Sequence, residues 1–195
     1  MVQFIFTVLT KAADVDSAEI ASALRKFTPQ TAVYQSTDGE LLGLFALTES
    51  NQPVADLEAI QLAQKFQEKL DIRLYEALSE AKITSIPTAP GKHFLVFNGM
   101  TPDEGMEDEF RRWYAEEHIP MLTQVPGWRA SMRFKLISAL RDNGNATEYL
   151  ALHEWESMDA FGTEAYKAAT DTPWRTRVVV DGVHKKERFV FESKM

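Results

Sequence analysis

The chain has 195 residues, 45% of them hydrophobic and 26% charged. That balance is near the globular average, so it excludes a disordered or fibrous chain and supplies a sizeable core for one domain or two small ones. Lys and Arg number 21 against 29 Asp and Glu, and the net charge of -8 repels phosphate backbones and argues against a nucleic-acid partner.

Cysteine is absent, which removes disulfides, thiolate nucleophiles and thiolate metal sites and fits an intracellular, cytoplasmic protein. No stretch approaches the ~18 apolar residues of a membrane helix, so no membrane partner is expected. Met1 to Thr10 is apolar but lacks a basic leader and a small-residue cleavage site, and it reads as a strand rather than a signal peptide.

Val2 to Leu9 is a Phe-, Val- and Ile-rich strand. Asp16 or Ser17 caps a helix carrying Ile20, Ala21, Leu24 and Phe27 at helical spacing, and Pro29 closes it. Ala32 to Ser36 and Leu41 to Leu47 are strands joined by an Asp38-Gly39 hairpin turn. Leu57 to Leu70 carries a helical apolar stripe, and Ile72 to Leu78 is a strand. The order is β-α-β-β-α-β, a ferredoxin-like unit. Ile83 to Lys92, with two prolines and a glycine, is the linker candidate.

The order then repeats. His93 to Asn98 is a strand, Met106 to Leu122 a helix, Trp128 to Ile137 a strand, Asp142 to Asn145 a turn, Tyr149 to Trp155 a strand and Met158 to Ala169 a helix. Thr172-Pro173 opens one more short helix, and Arg188 to Glu192 is the last strand, with Lys185-Lys186 a solvated pair before it. Phe4-Ile5-Phe6-Thr7 faintly echoes Phe94-Leu95-Val96-Phe97.

The reading is therefore α+β: a first half over 1–83 and a second over 92–195, two ferredoxin-like βαββαβ repeats. A four-stranded ferredoxin-like sheet has helices on one face only, so the halves are expected to close face to face into an α/β barrel within one chain.

One segment stands out. Between Phe110 and Leu122, a helical wheel puts Phe110, Trp113, Tyr114, Glu117 and Met121 on one face, with His118 one turn beyond Tyr114. Pro120 ends or kinks the helix nearby, which places His118 near a helix C-terminus, where the macrodipole favours its protonated form. Such a histidine serves either as an acid/base group, its tautomer fixed by Glu117 or a carbonyl, or as a lock on the helix end.

Trp113-Tyr114, Glu117-His118-Ile119-Pro120, Pro126-Gly127-Trp128 and Arg133-Phe134 together resemble the signature of EthD-type proteins of the dimeric α/β-barrel superfamily. The resemblance covers about half the chain, from Lys92 onward, whereas Ala18 to Pro29 has no histidine or aromatic pair. The arrangement is similar to tandem, single-chain fungal EthD-like proteins with a degenerate first half. The superfamily includes muconolactone isomerases, polyketide cyclases, decarboxylases, cofactor-free monooxygenases and haem-binding peroxidases. The resemblance implies that His118 matches an acid/base histidine in a cavity between helix and sheet.

Further candidates are His153, beside Tyr149 and Trp155 on one face of its strand, as a ligand contact or a satisfied core histidine. Arg133 shares a face with Arg129 and Ser131, holding an anion if inward and solvated if outward. Asn98, at a strand end, orients a polar group or begins a turn.

The four histidines show no metal-ligand spacing, no glycine-rich nucleotide loop or Gly-x-Ser-x-Gly elbow exists, and the acidic run Asp103 to Glu109 complements a helix N-terminus. No metal and no cofactor are expected. The leading expectation is a cofactor-independent enzyme acting on an aromatic or polyketide-like small molecule by proton transfer: a cyclase, dehydratase, isomerase or decarboxylase. His118 is acid or base, Tyr114 and His153 assist, and Trp113, Glu117, Arg133, Trp155 and Asn98 bind substrate. A non-catalytic ligand-binding or stress-associated barrel and a haem- or O2-using oxidase are the alternatives. A homo-oligomer could form through an edge strand or helix face.

Overall fold

The computed structural model describes residues 3–13, 16–25, 28, 30–49, 69–78, 93–140 and 144–193. The strands are β1 (Gln3–Lys11), β2 (Gln30–Ser36), β3 (Leu41–Glu49), β4 (Asp71–Ala77), β5 (Phe94–Pro102), β6 (Trp128–Leu140), β7 (Tyr149–Trp155) and β8 (Val183–Ser193). The helices are α1 (Ser17–Arg25), α2 (Glu107–Trp113), α3 (Ile119–Leu122), α4 (Glu164–Thr170) and α5 (Pro173–Arg175). The expected helix at Leu57 to Leu70 falls, up to residue 68, outside the described residues, as do the 83–92 linker and Phe27 and Pro29. No helix among the described residues is long and apolar enough to cross a membrane.

All eight strands close one antiparallel barrel in the order β1-β3-β2-β8-β5-β7-β6-β4. Within each half the strand order is that of a ferredoxin-like sheet, and the seams between halves are β2 with β8 and β4 with β6. Every strand is thus paired on both sides over at least part of its length. The echo falls at equivalent places, with Ile5 and Leu95 both in the barrel interior.

Period-2 alternation sends one residue in two inward on each strand. The interior cluster draws on every strand, with Tyr34, Phe45, Phe97, Phe134 and Phe191 among its bulky members. An eight-stranded barrel is just wide enough to be filled in this way. The outer faces also need cover. In the first half, Ile20, Ala21 and Leu24 of α1 pack on Val8, Leu44 and Ile72. Asp16 caps this helix, its Oδ1 accepting from Ala18 N–H at 2.8 Å. In the second half, α2 to α5 cover β5, β7 and β8.

Sequence expectation and structure part in several places. β8 begins at Val183 rather than Arg188, so Lys185 and Lys186 lie inside a strand; Lys185 Nζ donates to the Gly144 and Ala146 carbonyls, the latter at 2.6 Å. β5 runs on to Pro102, which puts Asn98 in mid-strand rather than at an end. The Met158 to Ala169 helix is broken: a 3-10 turn over Met158–Gly162 ends at Thr163, whose side chain caps α4 by accepting from Tyr166 N–H. Thr172 caps α5 as expected, with Pro173 at the first helical position.

Candidate active site

The helix over 107–122 is continuous but widens. α2 passes into a π-helical turn over Tyr114–His118, marked by Ile119 N–H donating to the Tyr114 carbonyl, and then into α3. Pro120 has no N–H to give the Glu116 carbonyl, and the widening falls just ahead of it. One extra residue in the turn rotates the remainder of the helix. His118 and Leu122 take the buried places that a regular wheel assigns to Glu117 and Met121, which are half-buried. His118 is therefore inside the helix, one turn before its end at Leu122.

His118 stacks on Trp113, ring centroids 4.5 Å apart and planes 22° apart, with Tyr114 edge-on at 5.4 Å. Its Nδ1 lies 3.2 Å from the Ala169 carbonyl. A carbonyl only accepts, so Nδ1 carries the proton and Nε2 is the basic nitrogen. Burial pushes the His118 pKa down to about 4, aided by Arg175 and Arg133 and partly opposed by the Ala169 hydrogen bond. The macrodipole expectation of a protonated ring is thus overturned by desolvation. Glu117 does not fix this tautomer: it accepts from Trp113 Nε1 at 3.1 Å and from the Thr172 hydroxyl at 2.6 Å, tying α2 to the cap of α5.

His153 points to the same outer face from β7, its ring 5.9 Å from that of His118 and 6.4 Å from that of Tyr114. Its Nδ1 is 2.6 Å from Ser131 Oγ on β6, while Nε2 is buried with no hydrogen-bond partner. Burial, then the neighbouring His118, hold its pKa well below the ordinary histidine value. Burial likewise raises the Tyr114 hydroxyl to about 12, against the pull of Arg133 and Arg175.

These groups converge on a cavity of about 400 Å³ between the helices and the outer faces of β5, β7 and β8. Of the residues singled out from sequence, His118, Tyr114, His153, Trp113, Trp155 and Asn98 line it. Glu117 and Arg133 do not. Arg133 is neither solvated nor at the cavity: it is buried beneath α2, its guanidinium 4.5 Å from the Tyr114 ring centre and one nitrogen 3.4 Å from the Arg111 carbonyl. It reaches the site only through its field and its contact with Tyr114. Arg129 is surface-paired with Glu154 and Glu156.

Sequence reasoning missed Arg175, Lys186 and Arg188, cations of the cavity lining. The signal for the last two was the alternation that puts Lys186 and Arg188 on one face of β8, hidden by starting that strand too late. Arg175 is placed by the α5 cap. Among the described residues no group of three His, Asp or Glu could hold a metal ion.

The fold is thus α+β and ferredoxin-like, its eight antiparallel strands closed into one barrel with a cavity between helices and sheet. Residues 93–171 match the sequence profile of the antibiotic biosynthesis monooxygenase family. No curated protein matches the chain. Among solved structures, an anthrone oxidase-like protein superposes with a TM-score of 0.62 at 16% identity, over 99% of this chain and 92% of that one. A ferredoxin-fold protein related to antibiotic biosynthesis monooxygenases, from Listeria monocytogenes, gives 0.58 at 10% identity over 98% and 95%. A monooxygenase-like protein from Listeria innocua gives 0.53 at 12% identity over 98% and 94%. At these identities the likeness is one of fold.

Proposed function

We propose that this chain is a small-molecule enzyme that starts from proton abstraction on an aromatic, polyketide-like substrate, and that O2 takes up the resulting carbanion. The single observation that carries this is His118 Nε2, a neutral basic nitrogen held by the Ala169 carbonyl and a stacked Trp113 at the wall of a 400 Å³ cavity. Trp113, Tyr114, Trp155, Phe161 and Tyr166 give that cavity flat aromatic walls. Arg175, Lys186 and Arg188 offer positive potential to a phenolate or enolate, and Arg175 already bears on both His118 and Tyr114.

Cyclisation, dehydration, isomerisation and decarboxylation share the first proton transfer. The family profile over 93–171 favours the oxygenase outcome among them. For an anthrone-type substrate the balance is one ring CH2 and one O2 giving one ring carbonyl and one water. The strand order within each half supports reading the fold as two fused ferredoxin-like repeats, with the working site on the second. The absence of cysteine supports a cytoplasmic location.

The test is O2 uptake by the purified chain against a panel of anthrones and hydroxynaphthalenes. We expect one O2 per substrate oxidised, and His118→Gln to lower turnover by about 10²–10⁴ with binding largely kept, the usual scale for a general acid or base. Intact turnover in that variant refutes the catalytic role of His118, and binding without O2 uptake by the unsubstituted chain across the panel leaves a ligand-binding barrel.

A second reading, a haem-using oxidase, is favoured by one feature: with its Nδ1–H anchored on the Ala169 carbonyl, His118 has Nε2 left to hold a haem iron, which would supply the O2 chemistry. A Soret shift on adding haemin, lost in His118→Gln, would decide for it.

A further inference from the structure

Ser131 and Trp128 lie outside the cavity lining, yet they determine what His153 presents to it. The Trp128 indole N–H can only donate, and it donates to Ser131 Oγ at 3.2 Å. Ser131 then has its own proton to place, and the acceptor within reach is His153 Nδ1 at 2.6 Å. A neutral imidazole that accepts at Nδ1 carries its proton on Nε2. That Nε2 is buried, unpartnered and part of a residue 2% exposed. Native proteins rarely leave such a donor unused, because a buried polar group without a partner costs free energy.

His118 shows the opposite arrangement, with Nδ1 protonated on Ala169 and Nε2 free to accept. Two histidines with rings 5.9 Å apart therefore present opposite hydrogen-bonding characters to one cavity: a proton acceptor and a proton donor.

We propose that the Trp128–Ser131–His153 chain locks His153 as a fixed oxyanion donor, and that the substrate class is an enolisable aromatic ketone whose oxygen sits on His153 Nε2–H. This rests on the proton-abstraction reading of the site. The step balances without an oxidant. His118 Nε2 takes the proton from the carbon next to the carbonyl, or in an anthrone from the ring CH2 conjugated with it through the arene, the C–H electron pair enters the conjugated π system as a new C=C bond, and the carbonyl π pair moves to oxygen. The oxygen, now negative, is held by His153 Nε2–H. Acceptor and donor on neighbouring rings suit the two ends of one conjugated unit, its acidic C–H and its carbonyl oxygen. Ser131 is a positioning residue, acting only through His153.

Two measurements on the full-length chain test this. Long-range ¹H–¹⁵N spectra of ¹⁵N-histidine-labelled protein report which ring nitrogen carries each proton, with His153 assigned by its loss in His153→Gln. We expect the proton on Nε2 of His153 and on Nδ1 of His118, and Ser131→Ala to release the His153 preference while leaving that of His118. A His153 protonated on Nδ1 in the unsubstituted protein overturns the proposal.

The second measurement is binding of 2-naphthol, as its phenolate, beside its neutral methyl ether. His153→Phe should weaken the phenolate about 10²–10³-fold, the scale for one oxyanion-hole donor, and change the ether little. His153→Gln, which keeps an N–H donor, should restore most of the loss. Equal weakening of both ligands, or none, overturns the donor role. If the unsubstituted protein binds neither ligand, the aromatic-substrate reading fails, and the tautomer result still decides the donor separately.

Discussion

The acid sensitivity of the fold should trace in part to the His118 ring, beside a second buried histidine, His153, that is also held neutral by burial. In the unfolded chain residue 118 titrates near 6.5, whereas in the folded barrel burial holds it near 4. As pH falls through 6.5 the unfolded state takes up a proton that the folded state refuses until about pH 4. Stability that is full above 6.5 is therefore lost across this window, at ~1.4 kcal/mol per unit, or ~3 kcal/mol in all. His118→Gln removes that titration. At pH 7 the variant should be less stable by ~1–3 kcal/mol, because the Ala169 carbonyl loses its donor. Towards pH 4 the gap should close or reverse, since only the unsubstituted protein suffers the linkage. Urea unfolding of both proteins at half-unit steps from pH 4 to 7.5 measures this. A stability difference constant across the series would show that His118 is not held neutral by burial, and would remove the basis for calling Nε2 a free base at neutral pH.

Three further outcomes concern the barrel itself. Gly99→Ala would place a methyl group against Thr147 Oγ1 and 2.5 Å from Glu187 Cγ, so it should cost ~1–3 kcal/mol in denaturant unfolding, with part recovered in a Gly99→Ala/Thr147→Ala double variant. Arg73, 1% exposed, is paired with Asp71 at 2.6 Å and with Glu187. Arg73→Met should therefore cost about 3 kcal/mol, the low end for a broken buried pair, by leaving two partly buried carboxylates uncompensated, and adding Glu187→Gln should return part of it. Phe134→Ala empties a fully buried interior position and should lower unfolding free energy by ~3–5 kcal/mol while leaving the outer cavity and its ligand affinity unchanged.

The strands were legible because period-2 alternation survives burial on both faces. Tyr149–Trp155 was bounded correctly from sequence, since its outward residues, Tyr149, Ala151, His153 and Trp155, differ in character from inward Leu150 and Leu152. The cavity histidines were legible by type, and Trp113, Tyr114, His118, His153, Trp155 and Asn98 do meet at one cavity. Their phase was less legible. A wheel drawn at 3.6 residues per turn cannot anticipate the π-helical turn, so Glu117 was given the place that His118 holds. Arg133 was misjudged because no local pattern shows that a strand's outer face lies under a helix. Partners that depend on distant chain crossings, such as Ala169 for His118 and Ser131 for His153, left no mark in the sequence.

The two seams that join the halves differ in length. β4 and β6 pair over six positions, from Ile72 with Leu140 to Ala77 with Phe134, but β2 and β8 pair over three, from Tyr34 with Ser193 to Ser36 with Phe191. The short seam is reinforced from the side by the Tyr34 hydroxyl on His93 Nε2 at 2.9 Å and by Ser193 N–H on the His93 carbonyl at 3.0 Å. Breathing of the barrel should accordingly begin there, with amides of residues 34–36 and 191–193 exchanging with solvent before those of β4 and β6. The same short closure is where solvent would first reach the barrel interior beside Tyr34 and Phe191.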